Sequence, residues 1–174
     1  MARRRCVGDG YAATYTLEGL PPGWEGTRRT LEAMADFVRR APNDPGLRDF
    51  ALYLVRDIRG HDFGAEIDRL FYFVRDSITY RKDPVDLELV QDARRTLERM
   101  AGDCDDKVTL LGSLLGCLGH RSRGVIVSYS PPTFHHVYLQ ALRSGAWLDL
   151  DPTNEQARPG WSPSGRVKLA YPFN

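Results

Sequence analysis

AGDCDDKVTLLGSLLG, residues 101–116, sets one cysteine among three aspartates, directly ahead of an apolar run. Asp103 is a natural helix N-cap, and Asp106, three residues on, completes an arrangement resembling a capping box. Cys104, Val108, Leu111, Leu115 and Leu118 then follow at 4-3-4-3 spacing and share one helix face, with the helix expected to stop near Gly119. Cys104 therefore lies in a first turn, where unpaired backbone N–H groups favour an anion. The aspartates push a thiol the other way, although two of them can direct their charge to the helix terminus. Asp105 or Asp106 is expected to turn away from the sulfur. A nearby imidazolium would favour the thiolate decisively.

The chain downstream offers such a ring. HHVYLQALRSGAWLDLDPT, residues 135–153, reads as a β-hairpin turning at Ser144 and Gly145. A two- or four-residue loop centred there puts Tyr138 opposite Asp151 and His136 opposite Thr153. His136, Tyr138, Asp149 and Asp151 then project to one side of the sheet, and His135 to the other. His136 and Asp151 become diagonal neighbours within hydrogen-bond reach. A cysteine at a helix start, a histidine on a strand and an aspartate on the next strand form the nucleophile, base and orienter of cysteine catalysis.

Upstream, the pattern is helical. Thr27 can cap a first helix carrying Leu31, Met34, Phe37 and Val38 on one side. A second, from about residue 45, has Phe50, Leu54, Val55 and Ile58 at helical spacing. A third, from about residue 65, has Ile67, Leu70, Phe71, Val74 and Ile78, and a short one covers 93–100. Period-two stretches follow at 124–129, 135–142 and 146–150, with a weaker one at 167–173. Helices first and strands second predict an α+β fold, with the cysteine helix packed on an antiparallel sheet. Residues 1–26, broken by Pro21, Pro22 and Gly23, read as irregular. Residues 27–174 read as one domain, helical over 27–119 and sheet over 123–174.

The 174 residues suffice for one substantial core. A formal charge of +1 gives no footprint for nucleic acid or an anionic membrane. No apolar run approaches the roughly 18 residues of a membrane span, and the basic start lacks the apolar segment of a secretory signal. Arg3, Arg4 and Arg5 read as a solvated tail. Cysteines at 6, 104 and 117 are no disulfide framework and contain no C-x-x-C pair. The expected location is cytoplasmic, with reduced thiols. Cys117 is expected at the core or side of the helix, and Cys6 in the tail. His61 and His120 read as surface or capping residues. His135 and His136 face opposite ways and cannot easily share an ion, so neither a metal nor a cofactor is expected.

Gly102-Asp103-Cys104-Asp105-Asp106, the leucine-rich helix, and Gly119-His120-Arg121-Ser122-Arg123-Gly124-Val125 resemble the cysteine motif of the transglutaminase-like superfamily. His136, then Trp147-Leu148-Asp149-Leu150-Asp151-Pro152-Thr153, resemble its histidine and aspartate motifs, with the spacing selecting His136 over His135. The resemblance covers about residues 67–153 and implies a papain-like α+β core. Members often carry tryptophan two residues past the histidine, where this chain has Tyr138. The Cys104 backbone N–H is expected to form part of an oxyanion hole, with Tyr80 as the candidate second donor. The resemblance implies acyl transfer on a protein or peptide substrate: hydrolysis as a peptidase or amidase is favoured, and an amine acceptor would make a transglutaminase. The competing reading is a non-catalytic binding or assembly module on the same scaffold, for example in a phage particle.

Overall fold

The computed structural model describes residues 3–8, 13–18, 23–60, 62–83, 88–131 and 133–174. In chain order it has β1 (Arg3–Gly8), β2 (Ala13–Glu18), α1 (Trp24–Arg40), α2 (Pro45–Val55), α3 (Phe63–Ser77), β3 (Thr79–Tyr80) and β4 (Glu88–Gln91). Then come α4 (Ala93–Arg99), β5 (Ala101–Gly102), α5 (Cys104–Cys117), β6 (Ser122–Ser128), β7 (His136–Arg143), β8 (Ala146–Leu150) and β9 (Val167–Pro172). The expected α+β class holds.

Aspartates start most of the helices. Asp44, Asp62 and Asp92 accept from Leu47, Ala65 and Arg95 backbone N–H groups at 3.1, 3.0 and 2.8 Å, satisfying donors that have no intrahelical partner. The first helix differs from expectation. It begins at Trp24 after Gly23, whose φ of 73° favours glycine. Thr27 is inside it, its hydroxyl donating back to the Gly23 carbonyl at 3.1 Å.

The irregular start expected for residues 1–26 also needs correction. β1 and β2 form an antiparallel ladder from Arg3↔Glu18 to Gly8↔Ala13, and β2 pairs with β4. Arg3, Arg4, Arg5 and Cys6 thus belong to a strand rather than to a tail. Tyr15 and Leu17 alternate into the core, a period-two signal too short to stand out beside the prolines.

α5 is the central helix. Only one apolar face was expected, yet Asp105 through Gly116 are all buried, with α1, α2, α3, α4, β6 and β7 packed around it. A helix apolar on several sides needs such an enclosure, and VTLLGSLLG is that kind of sequence. Among the described residues, no helix is long and apolar enough to cross a membrane.

The main sheet runs β8-β7-β6-β9, every neighbour antiparallel. Ser144 and Gly145 make a two-residue turn with φ of 50° and 82°, the positive values a tight hairpin needs. The ladder from Arg143↔Ala146 to Leu139↔Leu150 is the expected register. Val137, Leu139 and Ala141 join the helical core, whereas Tyr138 packs with Val125 and Val127 in a separate cluster.

Candidate functional site

β5 delivers the chain to α5 through a two-residue parallel bridge, Thr79↔Ala101 and Tyr80↔Gly102. Tyr80 is thereby fixed two residues from Cys104 along a neighbouring strand. The approach is tight: a Cβ on Gly102 would lie 2.4 Å from the Asp106 Cβ, so the turn into α5 requires glycine there. Cys104 is then the first residue of the helix, half-buried, with Asp103 at the N-cap.

The capping box is present. Asp103 accepts from the Asp106 N–H at 3.5 Å, and Asp106 accepts from the Asp103 N–H at 3.4 Å. Both bonds are long. Asp103→Ala is therefore expected to lower stability by about 0.5–1 kcal/mol, the low end for a lost N-cap, as read from urea unfolding; an unchanged midpoint would contradict the capping role.

Asp106 does turn away, accepting from the backbone N–H of Gln91 at 2.7 Å and from its side-chain amide. Crowding of the thiol, however, occurs. One oxygen each of Asp103 and Asp105 and the Cys104 sulfur lie within 4.8 Å of one another. Burial works against that charge. Burial pushes the Asp105 carboxyl well above the usual carboxylate range, and a hydrogen bond to Asp103 pushes it further. Both effects favour the neutral form of Asp105, which lowers the negative charge beside the sulfur. Asp106 is pushed up to about 7, by burial first and then by the Asp103 charge, against the lowering effect of Gln91.

Asp106 thereby makes stability depend on pH. Its folded pKa exceeds the unfolded value of 3.8, so the native state holds its proton longer and loses stability as pH rises from about 4 to about 7. Asp106→Asn removes that loss. Its amide also faces Gln91, whose side-chain carbonyl has no partner. In urea melts the variant should gain on wild type from about pH 4 to 7 and no further above; a constant gap would refute the assignment.

His136, at the start of β7, and Asp151, just past β8, meet as the register requires. The His136 Nε2 lies 2.8 Å from Asp151 Oδ2, which leaves Nδ1 as the ring nitrogen for another partner. Asp151 is fully buried. Burial pushes its carboxyl up, but the His136 ring, the Thr153 hydroxyl and the Thr153 N–H outweigh this and hold it below its ordinary value. Thr153 contributes two bonds to Oδ1, from its hydroxyl at 2.6 Å and its N–H at 3.0 Å. From sequence, Thr153 is the residue opposite His136 and the end of the aspartate motif, with no role of its own. Asp-Pro-Thr is a recognisable signal, since Asp side chains commonly accept from the backbone two residues on.

His135 is exposed, accepting from the Tyr129 N–H at 3.4 Å through Nδ1. It lines the same cleft as Cys104 and His136, but it is not bonded to Asp151. Asp149, on the strand before Asp151, pairs with Gln140 at 2.5 Å. Tyr80 is 43 % exposed. Its phenol is pushed up to about 12 by removal from water first, and further by the acidic surroundings of Cys104, Asp103, Asp105 and Asp151. It stays a protonated donor at any working pH.

Lys107 was not anticipated. Only 2 % exposed, it donates through Nζ to the Ile78 carbonyl at 2.7 Å and the Arg75 carbonyl at 3.3 Å. It thus closes the C-terminal end of α3, where a cation is favoured, immediately before β3 and Tyr80. Burial lowers its pKa to about 8, with Asp151 the largest opposing charge. Nothing in the sequence marks this lysine apart from the polar first turn around it.

The remaining candidates lie elsewhere. His120 is buried rather than at the surface, its Nε2 2.8 Å from Glu66 on α3, while its backbone N–H closes α5 on Leu115 O at 2.9 Å. Cys117 is at the far end of α5, its thiol pushed up to about 11 by burial. His61 lies outside the described residues. Among the described residues, Asp103, Cys104 and Asp105 are the one acidic or thiol group spaced to converge on a cation, and they are the same atoms that surround the thiol.

The fold is a mixed α+β core, with the Cys104 helix packed on an antiparallel sheet. The profile of the transglutaminase-like superfamily matches residues 53–152, more than half of the chain, and the chain belongs to that superfamily. Membership supports a cysteine-dependent enzyme in general. No curated protein matches the sequence. Solved structures that share the fold include two proteins of 15% identity. The "putative protease" of Parabacteroides distasonis is 15% identical with a TM-score of 0.57, covering 83% of this chain and 29% of that one. The "putative cysteine protease" of Cytophaga hutchinsonii is 15% identical with a TM-score of 0.53, covering 93% of this chain and 64% of that one. The chain thus spans less than two thirds of either.

Proposed function

We propose that the chain is a cysteine-dependent acyl-transfer enzyme that hydrolyses peptide or isopeptide amides, with Cys104, His136 and Asp151 as its triad. The observation that carries this is the 2.8 Å pair of His136 with buried Asp151 on the cleft into which Cys104 opens. His136 takes the thiol proton, and the sulfur forms a bond to the amide carbonyl carbon. The oxyanion is met by the Cys104 N–H and the Tyr80 hydroxyl. The C–N bond breaks as His136 returns the proton to the leaving amine. Water then adds to the thioester, giving up one proton through His136 to the departing sulfur, and the acyl group leaves as an acid. Asp151 orients the ring and stabilises its charged form. Hydrolysis is favoured over transfer to an amine because both solved structures named above carry protease names.

The test is alkylation by iodoacetamide across pH 5–9, with the modified cysteine identified by peptide mass. Cys104 should react rapidly near neutral pH, and His136→Ala should slow it. Cys117, with its raised thiol pKa, should react slowly. A Cys104 no more reactive than Cys117 would leave the chain a binding module on this scaffold.

A further inference from the structure

The cleft shared by Cys104 and His136 has a volume of about 310 Å³. An apolar protein cavity of roughly half that size, about 150 Å³, takes up benzene, so an aliphatic or aromatic side chain fits. Away from the reacting atoms its walls are Leu31, Met34, Ile126 and Val137, all buried core residues. Thr27 and Thr30, one and two turns into α1, add the polar edge. None of the described residues lining it is Lys or Arg. Phe134 extends the apolar wall, and Trp24 packs edge-on against it at 5.9 Å while 44 % exposed. Tryptophan is enriched where one side of a residue is apolar and the other wet, as at binding surfaces.

An amide carbonyl brought to the Cys104 sulfur has its own Cα one bond away, so the acyl residue's side chain must occupy the space next to the thiol. A charged side chain packed against Leu31, Met34, Ile126 and Val137 would be stripped of water, which is costly; the charged or ionisable groups of the lining are Asp103, Asp105 and the two histidines beside the thiol. A carboxylate would also face Asp103 and Asp105. We propose that this cleft is the acyl-side specificity pocket and that it selects an uncharged, apolar residue, aliphatic or aromatic, at the amide that is cut. The inference rests on the acyl-transfer reading above.

The experiment compares acetylated dipeptide chloromethyl ketones that differ only in the residue bearing the reactive group: Leu, Phe, Gly, Lys or Glu. The Leu and Phe probes should alkylate Cys104 about tenfold or more faster than the Lys and Glu probes, the scale at which a shaped apolar pocket discriminates. Thr30→Trp, which fills the cavity from α1, should bring the Leu-to-Gly ratio close to one. Equal rates across the wild-type series, or faster reaction of Glu or Lys, would overturn the proposal. A second measurement needs no reactive thiol: binding of N-acetyl-leucinamide and N-acetyl-glutamic acid amide to Cys104→Ala, followed by NMR shifts. Preference for the leucine amide supports the pocket, and equal binding refutes it. An inert Cys104 towards iodoacetamide would fail the acyl-transfer reading alone, with the binding comparison still deciding what the cleft accepts.

Discussion

Cys104→Ala is expected to show no turnover of any amide or peptide substrate while folding as the wild-type protein does. The variant removes one half-buried sulfur and leaves the Asp103 cap, the Gly102 turn and the buried length of α5 untouched. Alanine is also well tolerated inside a helix, so the structural cost is small and the chemical cost is total: no other nucleophile lies on the helix start. Cys117→Ala is the control. It sits thirteen residues along α5, roughly 20 Å away at the rise of an α-helix, and any effect should be modest destabilisation. Turnover by each purified variant, with folding followed by circular dichroism, makes the check. Activity in folded Cys104→Ala would end the cysteine-enzyme reading.

Asp151→Asn should lower turnover by up to about 10⁴-fold, the loss that follows when the orienting carboxylate of a triad is neutralised. The substitution keeps the oxygen that Thr153 holds with two hydrogen bonds. It places an amide, in either orientation a poorer partner than a carboxylate, against His136 Nε2. The charged ring then loses its counter-ion, while Cys104 stays at its helix terminus. Iodoacetamide should still label Cys104 in this variant, so labelling with slow turnover separates loss of orientation from loss of the nucleophile. Unchanged kcat would remove Asp151 from the mechanism.

Which parts were legible depended on whether the signal was local. The hairpin register could be counted from one Ser-Gly turn, and it brought His136 to Asp151 fifteen residues away. α2 and α3 announced themselves through apolar residues at helical spacing, and α5 through Asp103 as well; the Asp44, Asp62 and Asp92 caps were not read. The β1–β2 ladder was hidden because its partner β4 lies some seventy residues on in sequence, and short strands have no stability apart from their partners. Lys107 was illegible for a related reason: its partners, the Arg75 and Ile78 carbonyls, are backbone atoms that no residue type reveals. The crowding at the thiol was misjudged because charge was counted by residue type. In the fold, burial pushes the carboxyls of Asp105 and Asp106 upward.

α5 is enclosed by four helices and two strands of the sheet, and that enclosure bears on motion as well as on packing. Amides inside such a helix become open to solvent exchange through large-scale unfolding, whereas short edge ladders open locally. The sulfur therefore rides on the part of the chain that opens last. On the proposed mechanism Cys104 is then a fixed point, and adjustment to a substrate would fall to the two-residue β3 bridge with Tyr80 and to the Thr133–His136 approach to β7.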